Sequence, residues 1–409
     1  MLKRLSCRLV SEDRDFLRLL VLRDGKFLHF RFCRVPFGLC CSPALLNTTL
    51  IELYNLSEVQ HPACVALLRR SVYCDDFVSS VRNHHELHKV KETCTQIFRS
   101  CSMNLRGWTS TPDSVLGVPY DSNSDSLVID VTLSTSDSGP LTRRDLVSAL
   151  AKIYDPLGFA APCFVAPKLL IQESWDPSIT WDSPLSPALV QKWRDLQKLH
   201  HGQRIHLPRC LNAGPNSLIH AFSDASGRSY ATCVYLVNPD QSILLFAKTR
   251  IVPIRSTVSI PRKELMGAVL SVRAVKLLKE GIPEVANLSS FFWTDSTCVL
   301  SWMRRPAHDL RLFVRNRIAE IQSLSSASWR HVPGAENPAD IGTRKVDPSK
   351  LSFPSLWTTG PSWLSVPSEW PAQPSEYECD AKEVKVLCVE GSLPNDEHFY
   401  KCSLLCNGC

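Results

Sequence analysis

The chain has 409 residues, 46 Lys and Arg against 40 Asp and Glu, a formal net charge of +6 and 44% hydrophobic residues. That apolar content excludes a disordered chain, and the length allows two or three domains. The small positive balance is compatible with a polyanionic partner, but charge has to be read locally. No run of about 18 apolar residues is available to span a membrane. The opening Met-Leu-Lys-Arg-Leu-Ser lacks the apolar core of a signal peptide, so a soluble, intracellular chain is expected. Of the 17 cysteines, most sit singly in apolar runs, as Cys33, Cys64, Cys163, Cys233 and Cys298 do, and read as buried free thiols.

In chain order, residues 17–38 predict two extended segments joined by a turn at Asp24-Gly25-Lys26. Ser42 can cap a helix whose first position is Pro43. Val72-Tyr-Cys-Asp75-Asp76-Phe77 places two adjacent acids inside a β-forming run, which predicts a tight hairpin with the carboxylates at its bend. His84, His85 and His88 fall at helical spacing among charged residues and read as a solvated helix face.

A helix capped by Thr142 carries Leu146, Ala149, Leu150 and Ile153 as one stripe, and Asp155-Pro-Leu-Gly158 stops it. The Pro- and Trp-rich stretch up to about residue 215 reads as a helical connection. From Leu218 the pattern predicts three strands, a helix from Arg262 to Lys279, a strand ending at Trp293, a helix after Asp295, a helix over 311–324 and a strand at 328–332. This is an α/β arrangement with a mixed sheet. The part beyond residue 346 reads as linker and tail.

Four acids of this second half sit where a sheet-based metal site would need them: Asp224 in a strand, Glu264 near a helix start, Asp295 at a strand end and Asp340 opening a helix. Two-metal cleavage of a phosphodiester needs several carboxylates converging on ions about 4 Å apart, and hard oxygen ligands suit Mg²⁺. Any one of these acids alone reads more simply as a cap or a solvent-facing residue.

Their flanks carry a resemblance. Phe222-Ser-Asp224-Ala-Ser226, Arg262-Lys-Glu264-Leu, Trp293-Thr-Asp295-Ser and His331-Val-Pro-Gly-Ala-Glu-Asn337-Pro-Ala-Asp340 follow in the order and spacing of a retroelement ribonuclease H. Leu141-Thr-Arg-Arg-Asp-Leu and Ile153-Tyr-Asp-Pro-Leu-Gly158 resemble the stretch between polymerase and ribonuclease H in the BEL/Pao group of LTR retrotransposons. Arg34-Val-Pro-Phe37-Gly38 and Tyr73-Cys-Asp75-Asp76 are similar to reverse-transcriptase palm motifs. The resemblance covers about residues 10–365.

The resemblance implies an α/β and α+β multidomain fragment of a polyprotein. A partial palm would occupy residues 1–110, a connection 111–215, a ribonuclease H-like domain with a mixed five-stranded sheet 216–345, and a Pro/Ser/Trp-rich linker with a Cys-bearing tail 346–409. It implies hydrolysis of RNA in RNA/DNA hybrids with Asp224, Glu264, Asp295 and Asp340 as catalytic and metal-holding residues around two Mg²⁺ ions, for which Mn²⁺ can substitute. Arg262, Lys263 and Arg344 would contact nucleic acid. Asp75 and Asp76 would stand at the polymerase metal site with Phe37 and Gly38 beside template and nucleotide. Where the family carries a further palm acid this chain has Met1-Leu-Lys-Arg-Leu-Ser-Cys-Arg-Leu, so primer extension is not expected.

The implied partners are the hybrid and the remaining polyprotein or a second subunit, with no membrane, in the cytoplasm or in retroelement particles. A nucleic-acid-binding relic without catalysis is the alternative. Cys402, Cys406 and Cys409 behind His398 fit a zinc site only loosely, and a truncated tail is the simpler reading.

Overall fold

The computed structural model describes residues 8–377 except 37, 75, 82, 136–138, 177, 325–327 and 376. Phe37, Asp75, His398 and the three tail cysteines therefore lie outside the described residues. The chain divides into two compact units, Met1–Leu116 and Gly117–Cys409. No helix among the described residues is long and apolar enough to cross a membrane.

The first unit opens with an antiparallel hairpin, Arg18–Arg23 paired to Lys26–Arg31. Its bend is made by Asp24 and Gly25 with φ of 49° and 71°, as a two-residue turn matching strand twist demands. Three helices follow, Ser42–Ser57, Pro62–Ser71 and His84–Ser100, and they close over Leu50, Leu53, Val65, Leu68, Ile97 and Phe98. Ser42 is the first helical residue rather than the cap. Its hydroxyl donates to the Pro36 carbonyl at 2.7 Å, so it fastens the preceding loop instead. Asp76 is exposed in a two-residue strand, Asp76–Phe77, paired with Val72–Tyr73.

The second unit is built on a five-stranded mixed sheet. Its strands are β1 (Leu218–Ala225), β2 (Ser229–Val237), β3 (Ser242–Ile251), β4 (Ser290–Thr294) and β5 (Ser328–His331), in spatial order β3-β2-β1-β4-β5. The first three form an antiparallel meander, while β4 runs parallel to both β1 and β5. Helix α1 (Ile260–Gly281) covers one face, burying Leu265, Ala268, Val272 and Val275 with Ile219, Val234 and Phe292. Helices α2 (Thr297–Arg304) and α3 (Leu312–Leu324) complete that layer, and the short α4 (Pro338–Ile341) lies against β1 and β2.

The other face is closed by segments on both sides of residues 216–345. One continuous core joins Ile129, Phe159, Leu207, Phe222, Tyr235, Trp293, Trp357 and Trp363. Because a sheet buried on both faces needs two covers, residues 216–345 supply only one of them. Residues 346–370 pack on this face through Leu351, Trp357, Trp363 and Leu364. The Trp357 indole donates to the Phe159 carbonyl at 2.7 Å, and the Tyr235 hydroxyl donates to the Trp357 carbonyl at 2.8 Å.

The connection is not purely helical either. Strands Val118–Asp121, Ser126–Asp130 and Arg204–Pro208 form a small antiparallel sheet of their own, with Asp130 opposite Arg204. Such a pairing, between strands of five residues separated by most of the connection, leaves no local periodicity to read. The expected capping box at Thr142 and Asp145 is present, with both reciprocal bonds made.

Gly158 explains how the connection grips the sheet. It holds φ of +76°, and a Cβ there would fall 1.8 Å from the Ala247 carbonyl oxygen of β3. The adjacent Leu157 carbonyl accepts the Ala247 N–H at 2.8 Å, covering part of the β3 edge. Asp155 holds this loop by accepting the backbone N–H groups of Phe159 and Ala160 at 2.9 and 2.8 Å. Of the cysteines expected to be buried, Cys163 and Cys233 are, Cys64 and Cys298 are partly so, and Cys33 is exposed because its hairpin is uncovered.

Candidate active site

Strand β1 runs buried almost throughout and carries Asp224 near its end. In the parallel ladder Thr294 of β4 pairs with Ser223, so Asp295, the next residue, emerges beside Asp224 at the carboxyl ends of two neighbouring strands. Ligands of open α/β sheets bind outside such ends.

Glu264 lies just past the first turn of α1, and Gly267, less than one turn further on, has no side chain to hold the helix off. A Cβ there would stand 3.1 Å from the Asp224 carbonyl oxygen. Asp340 lies in α4, whose N-cap is Asn337. The Asn337 Oδ1 accepts the Ala339 N–H at 3.1 Å, while its Nδ2 donates to the Ser223 carbonyl at 3.0 Å. One side chain thus starts α4 and ties it to the strand that carries Asp224.

The four acids act on one another. Asp224 is 6% exposed; burial first, and then the charge of Asp295, push its carboxyl up to about 6. The Thr343 hydroxyl, donating to Asp224 Oδ2 at 2.8 Å, opposes that rise, and Asp340 adds to it. Burial likewise raises Asp295 to about 6, with Glu264 and Asp340 contributing repulsion. Glu264 is raised by burial against a hydrogen bond from the Ser296 hydroxyl. Asp340 accepts from Arg344 Nε at 2.6 Å.

Asp295 Oδ1 is buried and has no hydrogen-bond partner among the described residues. A buried oxygen left without a donor, within a set of mutually repelling carboxylates, is the donor chemistry that a hard cation satisfies. Among the described residues no three His, Cys, Asp or Glu side chains are already gathered as a metal-holding group. Three of the acids are each drawn to a different neighbour, Thr343, Ser296 or Arg344.

The residues expected to touch nucleic acid are placed unequally. Arg262 stacks its guanidinium 4.8 Å from the Phe313 ring centre. Lys263 is buried and donates to the Gly227 carbonyl at 2.8 Å. Arg344 is exposed beside the cluster, bonded to Asp340. In the first unit Gly38 is exposed with φ of +91°, and Asp76 is exposed as well.

Three functional side chains carried weaker signals in the sequence. Ser296, directly after Asp295, is the N-cap of α2, its hydroxyl accepting the Val299 N–H at 3.3 Å. Asn337 precedes a Pro as a cap should, which was legible, but its bond to Ser223 was not. Thr343 follows Gly342 in an unremarkable Ile-Gly-Thr-Arg stretch, and only folding turns it onto Asp224.

Residues 142–296 match the family described as the Pao retrotransposon-like RNaseH-like domain. This segment is similar to that domain family. The match begins at the Thr142 cap and ends at Ser296, so it contains Asp224, Glu264 and Asp295 and crosses from the connection into the sheet, as the shared core does. No curated protein matches the chain.

Among solved structures, that of a foamy viral protease-reverse transcriptase in complex with an RNA/DNA hybrid is 15% identical, with a TM-score of 0.49, over 80% of this chain and 42% of that one. The same viral protein in complex with dsDNA gives 14% identity and a TM-score of 0.49, over 80% of this chain and 65% of that one. The chain thus spans between about two fifths and two thirds of those proteins.

Proposed function

We propose that the Pao-like domain hydrolyses the RNA strand of an RNA/DNA hybrid, with Asp224, Glu264, Asp295 and Asp340 holding two Mg²⁺ ions. The observation that carries this reading is the pair Asp224 and Asp295 side by side at the carboxyl ends of β1 and β4, repelled by each other and by Glu264 and Asp340, with Asp295 Oδ1 buried and without a partner among the described residues. Two such ions supply charge that favours both the attacking water and the departing oxygen.

The chain's own residues prepare that chemistry. Thr343 orients Asp224, Ser296 orients Glu264, and the fixed strand ends hold Asp224 and Asp295 side by side. Arg344 holds Asp340 and is exposed to a phosphate. A hybrid offers phosphates to the bordering cations and 2′-hydroxyls that distinguish its RNA strand.

Incubating the purified chain with an end-labelled hybrid, single-stranded RNA and duplex DNA tests the proposal. Cleavage of the hybrid's RNA strand alone, in Mg²⁺ or Mn²⁺ and not in chelator, is expected. Intact hybrid at all metal concentrations would leave the binding-only relic.

A further inference from the structure

A second feature of the Pao-like domain lies where the helix Val165–Glu173 faces the outer edge of β3. Lys248 and Arg250 are exposed and flank Thr249, whose side chain turns inward to donate to the Gly342 carbonyl at 2.8 Å. Strand alternation therefore projects both cations to one side. They share a cleft of about 1000 Å³ with Lys168 and with Arg255 from the loop after β3. None of the four forms an ion pair with a carboxylate among the described residues. Burial, and then the charges of Lys248 and Arg250, hold the Lys168 ammonium below the usual lysine range, with Asp155 opposing.

The remaining wall is apolar and open. Trp175 is 54% exposed and Ile254 is 62% exposed. Trp175 is held in place by the Arg143 guanidinium 4.7 Å from its ring centre and by Trp181 packed edge-on at 5.6 Å. An adjoining cleft of about 360 Å³ shares Trp175 and Ile254 and continues past Arg228 to Lys263, the neighbour of Glu264. The cation-lined groove therefore extends to the start of α1, the helix that carries Glu264.

Four cations without a carboxylate ion pair among the described residues, converging on one cleft, call for a polyanion. Phosphates alone would have no use for a preset, exposed tryptophan. A nucleic-acid duplex presents phosphates but hides its base faces, whereas a single strand presents both. We propose that this groove binds a single-stranded stretch of nucleic acid continuous with the hybrid at the four acids, Lys168, Lys248, Arg250 and Arg255 meeting its phosphates and Trp175 stacking a base. The proposal rests on the hybrid reading only for what continues into the groove.

The test is fluorescence anisotropy of the full chain without divalent metal, using a blunt hybrid, the same hybrid with a single-stranded overhang, and the single strand alone. The overhang should tighten binding about tenfold. In the double variant Lys248→Ala/Arg250→Ala that advantage should vanish, and the salt dependence for the single strand should fall by about 1.4 in log–log slope, two phosphate contacts' worth. Trp175→Leu should remove most of the advantage while keeping the salt slope.

Both basic residues are exposed, so a thermal melt like that of the parent chain accompanies these effects. An overhang no tighter than the blunt hybrid, or an advantage that survives both variants, overturns the proposal. Blunt hybrid cleaved in a parallel Mg²⁺ assay, with the overhang indifferent in the metal-free binding, would remove the groove and keep the hydrolase. Single strand bound and lost in the variants, with hybrid left uncut, would keep the groove and remove the hydrolase.

Discussion

The hairpin at residues 18–31 and strand β1 read alike in sequence and end in opposite environments. Leu19-Leu-Val-Leu22 and Leu218-Ile-His-Ala-Phe222 are both short apolar runs bounded by turn residues. The hairpin leaves Leu20, Leu22 and Phe27 at 60%, 63% and 67% exposure, whereas β1 is buried from Ile219 to Ala225. What differs is cover: α1 closes one face of the β1 sheet, and the connection with Trp357 and Trp363 closes the other. Burial is also what makes the acids chemically unusual, since Asp224 and Asp295 are raised first by desolvation while Asp76 stands in solvent.

The largest effect expected from breaking that cover is at Gly158. Gly158→Val forces a side chain into the Ala247 carbonyl at positive φ, and should destabilise the second unit by roughly 3–5 kcal/mol or prevent its folding. In chemical denaturation, a first unit that unfolds as before while the second shifts would support the separate-cover account; equal shifts in both would contradict it.

Next in size is a pair of truncations. Phe222→Ala should cost about 3–5 kcal/mol, because a fully buried ring stacked on Trp293 is lost. Phe27→Ala, in the exposed hairpin, should stay within about 0.5 kcal/mol of the parent. Similar costs at both sites would show that the hairpin is covered in solution.

A smaller, pH-dependent effect sharpens the electrostatic half of the comparison. Asp224 and Asp295 keep their protons to about pH 6 when folded and release them near 3.8 when unfolded. Folding therefore takes up protons in that interval, and without metal these two groups cost the folded state nothing below about pH 4, weaken it progressively as pH rises to about 6, and weaken it by a constant amount above that. Asp224→Asn removes one such group and should raise metal-free stability at pH 8 by on the order of 1–3 kcal/mol, with no gain near pH 4. Melting curves across pH check this; a gain of equal size at both ends would refute the repulsion.

The smallest effect is expected at Thr343→Val. Loss of the hydroxyl donor to Asp224 should lower hybrid cleavage several-fold, the equivalent of about 0.5–1.5 kcal/mol, and leave hybrid binding unchanged. Unaltered turnover would relegate Thr343 to packing.

Much of the second unit was legible because its periodicities are local. The meander, α1 and the four acids follow from runs of β-branched and apolar residues and from short motifs. The rest depended on distant partners. The sheet pairing Asp130 with Arg204, the docking of Trp357 on Phe159, and Thr343 on Asp224 each join residues more than 70 positions apart. Lys263 shows the same limit at a single residue: its charge suggested a phosphate contact, and only the fold reveals that Gly227 engages it.

The most direct measurement compares the parent chain and Asp295→Asn on one labelled RNA/DNA hybrid in Mg²⁺, scoring cleavage and binding together. An isosteric amide removes the charge of the acid whose Oδ1 is buried without a partner among the described residues. The account predicts cleavage reduced by about a thousandfold or more with binding within about twofold. Undiminished cleavage by Asp295→Asn, or loss of binding in step with cleavage, would contradict it.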